Sequence, residues 1–251
     1  MDDFRKVFDS ISGEFDRWRP RYCEALFDDV TAYAGLGPGK AALEIGPGTG
    51  QATGPILRTG CDYMAIELGE NMTRAMKEKF GHYENFSIVN ADFETCDFGG
   101  QQFDLIYSAA AFQWIPEEIG FPKAFELLKS GGKLALFSVW ADEKSADEAL
   151  HEKIQEVYAA HFHPQTEYTC SLTYENAVKY GFVDFENRYY HSERHFSAEG
   201  YVGLTATHAP HITLPEPYKS NFYAGLRDAV LEAGNRITIR DTYALRLAGK
   251  P

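Results

Sequence analysis

The sequence predicts an α/β fold: a doubly wound, mostly parallel seven-stranded sheet with helices on both faces, N-terminal helices ahead of it and a C-terminal helical lid insertion before the last strand. Three observations predict it. Short apolar runs alternate with amphipathic stretches between residues 41 and 140, the pattern of strand-helix-strand units. The runs are almost continuously apolar, which suits strands covered on both faces. The first run leads directly into Gly46-Pro47-Gly48-Thr49-Gly50, and a strand feeding a glycine-rich turn is how many ligand-binding α/β sheets begin.

Taken in order, Val7, Ile11, Phe15 and Trp18, then Tyr22, Leu26 and Val30, stand at helical spacing, with Pro20 marking a break between two helices. Glycine and proline at 35–39 signal a loop, and 41–45 reads as a buried strand. Further strands are expected at 63–66, 86–89, 103–107 and 134–139. Met72, Ala75, Met76 and Phe80 share one helical face. Beyond Trp140 helical patterns run over 145–160 and 173–180, a strand lies within 182–196, and helices follow at 198–207 and 216–233. The closing strand is 236–247, where Ile237, Ile239, Tyr243, Leu245 and Leu247 keep period two. The expectation is one domain over 1–251: a helical cap at 1–35, a ligand-binding core at 36–140, and sheet completion with a lid at 141–251.

Composition narrows the function. With 24 Lys plus Arg against 37 Asp plus Glu, the net charge is -13, so the mean surface repels polyphosphates and nucleic acid is not the expected partner. The opening Met1-Asp2-Asp3-Phe4 has no basic stretch followed by an apolar one, and no run is long enough to span a bilayer, so no membrane and a cytoplasmic location are expected. Cys23, Cys61, Cys96 and Cys170 lack the close pairing of zinc or redox motifs, and His161-x-His163 and His208-x-x-His211 lack a third ligand at recognisable spacing; no metal is expected.

The chemistry concentrates in residues 43–51. Glycines at alternate positions permit a sharp turn and close approach of the backbone to a nucleotide-like ligand. A dinucleotide fingerprint would put its third glycine where Gln51 stands, whereas here it comes one residue earlier, at Gly50. Glu67 ends the second run, where a carboxylate can accept from both hydroxyls of a ribose.

This stretch resembles the first motif of the class I S-adenosylmethionine-dependent methyltransferases, acidic-x-Gly-x-Gly-x-Gly, with Glu44, Gly46, Gly48 and Gly50 in every specified position. The resemblance implies a Rossmann-like fold and S-adenosyl-L-methionine as cofactor. It implies that Glu67 holds the ribose, that Leu68 and Met72 flank the adenine, and that Asp92, in Asn90-Ala91-Asp92-Phe93, accepts from the adenine amino group while Phe93 packs on the ring. Residues 103–115 resemble the fourth motif, so Ser108 and Ala110 would lie along the methionine part, with Phe112 and Trp114 as apolar walls near the sulfonium. The N-terminal segment is similar to that of small-molecule enzymes related to the trans-aconitate group, which would pair Arg19 with the cofactor carboxylate.

Relatives carry His where Gln113 stands, and Gln is no base near neutral pH; no catalytic residue is assigned. The acceptor is expected to be a small molecule bearing a carboxylate or hydroxyl, met by Trp114, Tyr174, His208, His211 or Arg240. Two alternatives stay open: a cofactor-binding regulatory protein without turnover, and aminopropyl transfer, for which the fourth strand offers Ser and Ala instead of acids.

Overall fold

The computed structural model describes residues 4–142, 144, 146–164 and 172–251; Ser145, where a helix was expected to begin, and Cys170 lie outside the described residues. A 3-10 turn over Phe4–Ile11 runs into α1 (Ser12–Trp18), and α2 (Glu24–Ala34) follows after Pro20. The core then alternates β1 (Ala41–Ile45), α3 (Thr53–Leu57), β2 (Asp62–Glu67), α4 (Glu70–Phe80), β3 (Phe86–Asn90), β4 (Phe103–Ala109), α5 (Glu117–Leu127) and β5 (Leu128–Asp142). After it come α6 (Glu148–His161), β6 (Val183–Phe196), α7 (Ala198–Thr205), α8 (Ala209–Ile212), α9 (Tyr218–Glu232) and β7 (Ile237–Gly249).

The seven strands lie in the order β3-β2-β1-β4-β5-β7-β6. β1 pairs parallel with β2 and β4, β2 with β3, and β4 with β5. The last two strands run opposite to each other. His191 meets Thr242 at 3.1 Å and His195 meets Thr238 at 3.0 Å, so the contacts step forward on β6 and backward on β7. The sheet is therefore mixed at that edge. The direction of the order reverses between β1 and β4, and such a switch point opens a crevice beyond the strands' carboxyl ends.

Some expectations shift. Residues 173–180 form a 3-10 helix, Tyr174–Tyr180, rather than an α-helix. β5 begins at Leu128, six residues before the expected 134, because the chain through Gly131-Gly132 stays paired: Lys250 exchanges backbone hydrogen bonds with Gly131 and Gly132 at 3.0 and 2.9 Å. The irregularity shows instead as a register shift between Phe103 and Leu105.

The chain divides into two compact units, whose boundaries cut across the three segments expected from sequence. One comprises residues 20–139, 170–190 and 243–251. Its strands are covered on both faces: Leu43, Ile45, Ile66 and Ile106 enter one apolar cluster with Phe103, Phe112 and Phe121, while Ala42, Ala65, Leu105 and Tyr107 enter another with Leu26, Ile56 and Phe137. That is why β1 shows no polar alternation. The other unit comprises residues 1–19, 140–169 and 191–242. Its core joins Leu150 and Ile154 of α6, Tyr201 and Leu204 of α7, Phe222, Leu226 and Val230 of α9, and Ile237 and Ile239 of β7. Trp18 lies so close to α7 that a Cβ at Gly203 would come within 2.5 Å of its indole. No helix among the described residues is long and apolar enough to cross a membrane.

At the amino end of the central strands, Asp104 accepts from the Ala41 N–H at 2.9 Å, from Lys40 at 3.0 Å and from Lys129 at 2.6 Å. Burial raises its carboxyl pKa, but these bonds, Lys129 foremost, bring it down to about 2. A carboxyl held below its unfolded value stabilises the fold above that value and loses the contribution as pH falls through the folded one. Asp104→Asn is expected to cost about 1–2 kcal/mol at pH 7 after allowance for solvent screening, with the difference from the parent shrinking between pH 4 and pH 2; urea unfolding across that range checks it.

Candidate functional site

The site is assembled in the unit that holds β1 to β4. β1 ends at Ile45, and the turn after it takes Gly46, Gly48 and Gly50 to φ of +64°, +59° and +90°. Those angles favour residues without a Cβ. Close packing demands the same: a Cβ at Gly46 would stand 2.5 Å from the Ala111 methyl, and one at Gly50 would stand 2.4 Å from the Phe80 ring and 2.9 Å from Met76 Sδ. At 46 and 50 the missing side chain thus makes room for the protein's own neighbours, a reason the sequence pattern did not distinguish from room for a ligand.

Glu67 closes the turn from β2. Its Oε2 accepts the Gly48 N–H at 3.0 Å and its Oε1 accepts the Gly69 N–H at 2.8 Å. The Gly46 N–H donates to Ile66 O at 2.9 Å, and Lys79 donates to Thr49 O at 2.7 Å. Each carboxylate oxygen can accept more than one hydrogen bond. Leu68 next to it is half-buried, and Met72 is buried in α4.

Glu44 does not reach the turn's surface. Fully buried, its Oε2 accepts from Thr53 at 2.6 Å, from Tyr107 at 2.8 Å and from Tyr63. Burial raises its pKa against the hydroxyls that lower it. All three donors sit on Oε2, and the buried Oε1 has no partner among the described residues; the carboxylate expected to bind the cofactor lies beneath the loop and supports it from there. Tyr63 and Tyr107 were missed as its partners. Both read as ordinary core aromatics in sequence.

At the end of β3, Asn90 ties the chain by donating its side-chain amide to Glu67 O at 2.9 Å and Leu68 O at 3.1 Å. Half-buried Asp92 accepts the Glu94 N–H on Oδ1 at 3.0 Å, an Asx-type turn just beyond β3. Phe93 is only 4% exposed, edge-on to Phe98, with the Lys123 ammonium 5.3 Å from its ring. The ring expected to pack on the adenine is thus largely enclosed by the protein's own side chains.

Along β4, Ser108 donates to Ile45 O at 2.8 Å and locks β4 to β1. Ala110 sits at φ +57°, a left-handed backbone unusual without glycine, and its N–H donates to Phe137 O at 3.0 Å. Gln113 donates its amide to Ala110 O at 3.0 Å, Phe112 is buried against Phe121, and Trp114 is half-buried. Tyr174 lies under the Arg246 guanidinium, 3.9 Å from ring centre.

The remaining expected residues belong to the other unit. Arg19 donates to Thr207 O at 2.7 Å and stands 5.1 Å from the Phe15 ring. His208 and His211 lie close together, ring centres 5.6 Å apart. Arg240, on β7, faces Glu193 at 3.3 Å.

A family model described as a methyltransferase domain matches residues 43–136. A methyltransferase of Geobacillus sp. (strain WCH70), itself uncharacterized, is 30% identical over 158 residues, 61% of this chain and 70% of that one. Malonyl-acyl-carrier-protein O-methyltransferase of Marinomonas sp. (strain MWYL1) is 28% identical over 131 residues, 51% of this chain; the match spans about half, 48%, of that relative's length. Ribosomal RNA small subunit methyltransferase A of Synechococcus elongatus is 35% identical over only 75 residues, 30% of this chain and 27% of that one. Among solved structures, a proposed type II methyltransferase from Anaeromyxobacter dehalogenans superposes with a TM-score of 0.66 at 18% identity, covering 93% of this chain and 97% of that one, a likeness of fold.

The strained alanine gives a direct check on the site's backbone. Ala110→Gly is expected to raise stability by about 0.5–1 kcal/mol, the left-handed penalty relieved less the entropy a glycine adds, as measured by the midpoint of urea unfolding.

Proposed function

The chain belongs to the class I S-adenosylmethionine-dependent methyltransferases, and on that footing we propose that it transfers a methyl group from S-adenosyl-L-methionine to a small-molecule acceptor. The observation that carries the reading is the glycine turn clamped to Glu67 at the switch point between β1 and β4. The residues fit the cofactor: Glu67 offers acceptor sites for a ribose diol, and small residues line the end of β4.

In this reading Gly46, Gly48 and Gly50 shape the floor, Glu67 binds the ribose, and Leu68 and Met72 border the adenine, whose amino group Asp92 receives. Ser108 and Ala110 leave room along the methionine part. When bound, the cofactor supplies an electrophilic methyl group. The chain's own contribution is alignment and exclusion of water, which can account for roughly 7–11 kcal/mol of a barrier without a dedicated base. That agrees with Gln113, whose amide donates to Ala110 O and supplies no base.

A small acceptor is supported by the net charge of -13, which disfavours a nucleic-acid substrate; the ribosomal RNA relative matches only 75 residues. The malonyl-acyl-carrier-protein relative methylates oxygen by its name, in keeping with a carboxylate or hydroxyl acceptor.

Incubating the chain with methyl-labelled S-adenosylmethionine and a small-molecule extract, then reading labelled products by mass spectrometry, tests the function; a labelled low-molecular-weight product is expected, and its absence, or label in RNA, counts against the reading. Gly46→Ala, which drives a methyl into Ala111, is expected to weaken cofactor binding at least about tenfold, roughly 1.4 kcal/mol, by calorimetry.

A further inference from the structure

The unit that carries the glycine turn holds three further residues that the cofactor reading does not use: Ser138 on β5, Tyr174 at the start of the 3-10 helix before β6, and Arg246 on β7. Half-buried Arg246 donates from Nη1 to the Ser138 hydroxyl at 2.7 Å, and its guanidinium lies 3.9 Å from the centre of the Tyr174 ring. Both contacts are with neutral groups. No carboxylate among the described residues forms an ion pair with Arg246.

The edge of the guanidinium left over is specific. Nε and Nη2 of an arginine lie side by side and give two parallel hydrogen bonds to a carboxylate. Elsewhere the chain fills that edge itself: Arg194 gives Nε and Nη2 to the two oxygens of Asp241, and Arg227 gives the same pair to Glu199. At Arg246 neither nitrogen has a hydrogen-bond partner among the described residues. The Tyr174 ring and the Ser138 hydroxyl meanwhile hold the guanidinium in place, which lowers the ordering cost of binding. Ser138 accepts from Nη1 and keeps its own proton to donate, so it adds a third donor. One cation with one neutral donor suits a carboxylate; the second charge of a phosphate has no counterpart in this group.

Position selects where that carboxylate comes from. Ala109 on β4 stands in register with Phe137, and the Ala110 N–H donates to Phe137 O at 3.0 Å. Ser138 therefore follows directly on the end of β4, along which the cofactor's methionine part is proposed to lie, and neighbouring strands stand roughly 5 Å apart. The proposed cofactor contacts lie at the ends of β2, β1, β3 and β4, and β5 and β7 are the next strands beyond β4.

We propose that Arg246, Ser138 and Tyr174 form a receptor for a carboxylate carried by the methyl acceptor. The receptor stands on the open edge of Arg246; its assignment to the acceptor rests on the methyl-transfer reading above.

The test is arginine Nε–H NMR of the full chain, titrated separately with propionate, its neutral counterpart propionamide, and inorganic phosphate. Propionate is expected to shift the Arg246 resonance saturably, and propionamide is not. Arg246→Gln is expected to weaken propionate at least tenfold and Ser138→Ala to weaken it less, while both bind S-adenosylhomocysteine within twofold of the parent. No saturable shift, an equal response to propionamide, or tighter binding of phosphate overturns the receptor, and these comparisons on the parent need no variant. Loss of S-adenosylhomocysteine affinity in a folded Arg246→Gln overturns the assignment by giving the arginine to the cofactor. Propionate is also expected to compete with labelling of the extract; binding at Arg246 that leaves labelling untouched overturns the assignment to the acceptor. A parent that binds propionate but not S-adenosylhomocysteine leaves the receptor standing and removes the methyl-transfer reading, and the assignment with it.

Discussion

One carboxylate holds the site together. Glu67, at the carboxyl end of β2, receives the backbone N–H of Gly48 on one oxygen and that of Gly69 on the other. It thereby fixes the turn after β1 and the entry to α4 in a single contact. Hydrogen bonds to a charged acceptor are worth about 1.5–3 kcal/mol, more than neutral ones, and here they are made by backbone that has left its strand and has no ladder partner. The same carboxylate is the one proposed to receive the ribose, so in that reading one group both organises the loop and presents acceptors to a ligand.

Beneath that turn a second carboxylate plays a different part. Glu44 is fully enclosed, and its Oε2 takes three hydroxyl donors, from Thr53, Tyr63 and Tyr107, while its Oε1 has none among the described residues. A buried acid is tolerated only when such partners replace water, and these come from α3, β2 and β4. The network therefore ties the first turn to three neighbouring elements. Together with Ser108 on Ile45 O, it makes the carboxyl ends of β1 and β4 a rigid base for the loops above them.

Much of this was legible in the sequence because it is local. Residues 41–45 are a strand as expected, and Met72, Met76 and Phe80 do fall on a helix, α4, whose close approach explains why position 50 must be glycine. The seven strands followed from apolar runs and the glycines from their spacing. What escaped is non-local or conformational. Tyr63 and Tyr107 lie 19 and 63 residues from Glu44, and nothing in a one-dimensional pattern distinguishes a core tyrosine from one that satisfies a buried acid. The left-handed backbone at Ala110 carries no glycine to announce it. Phe93 resembled a stacking residue by position, but Phe98 and Lys123, which enclose it, come from later segments. Arg19 pairs with a carbonyl 188 residues away.

One unit carries the glycine turn, built on the parallel strands and proposed to bind the adenosyl cofactor; the other carries His208 and His211 with Arg19 among its helices. The central claim is that Glu67 joins loop geometry to ligand binding. Calorimetric titration of S-adenosylhomocysteine into the parent and into Glu67→Ala tests it most directly. The account predicts a loss of about 10- to 100-fold in affinity, roughly 1.4–2.7 kcal/mol, with the circular dichroism of the sheet retained. An affinity within twofold of the parent's would contradict it.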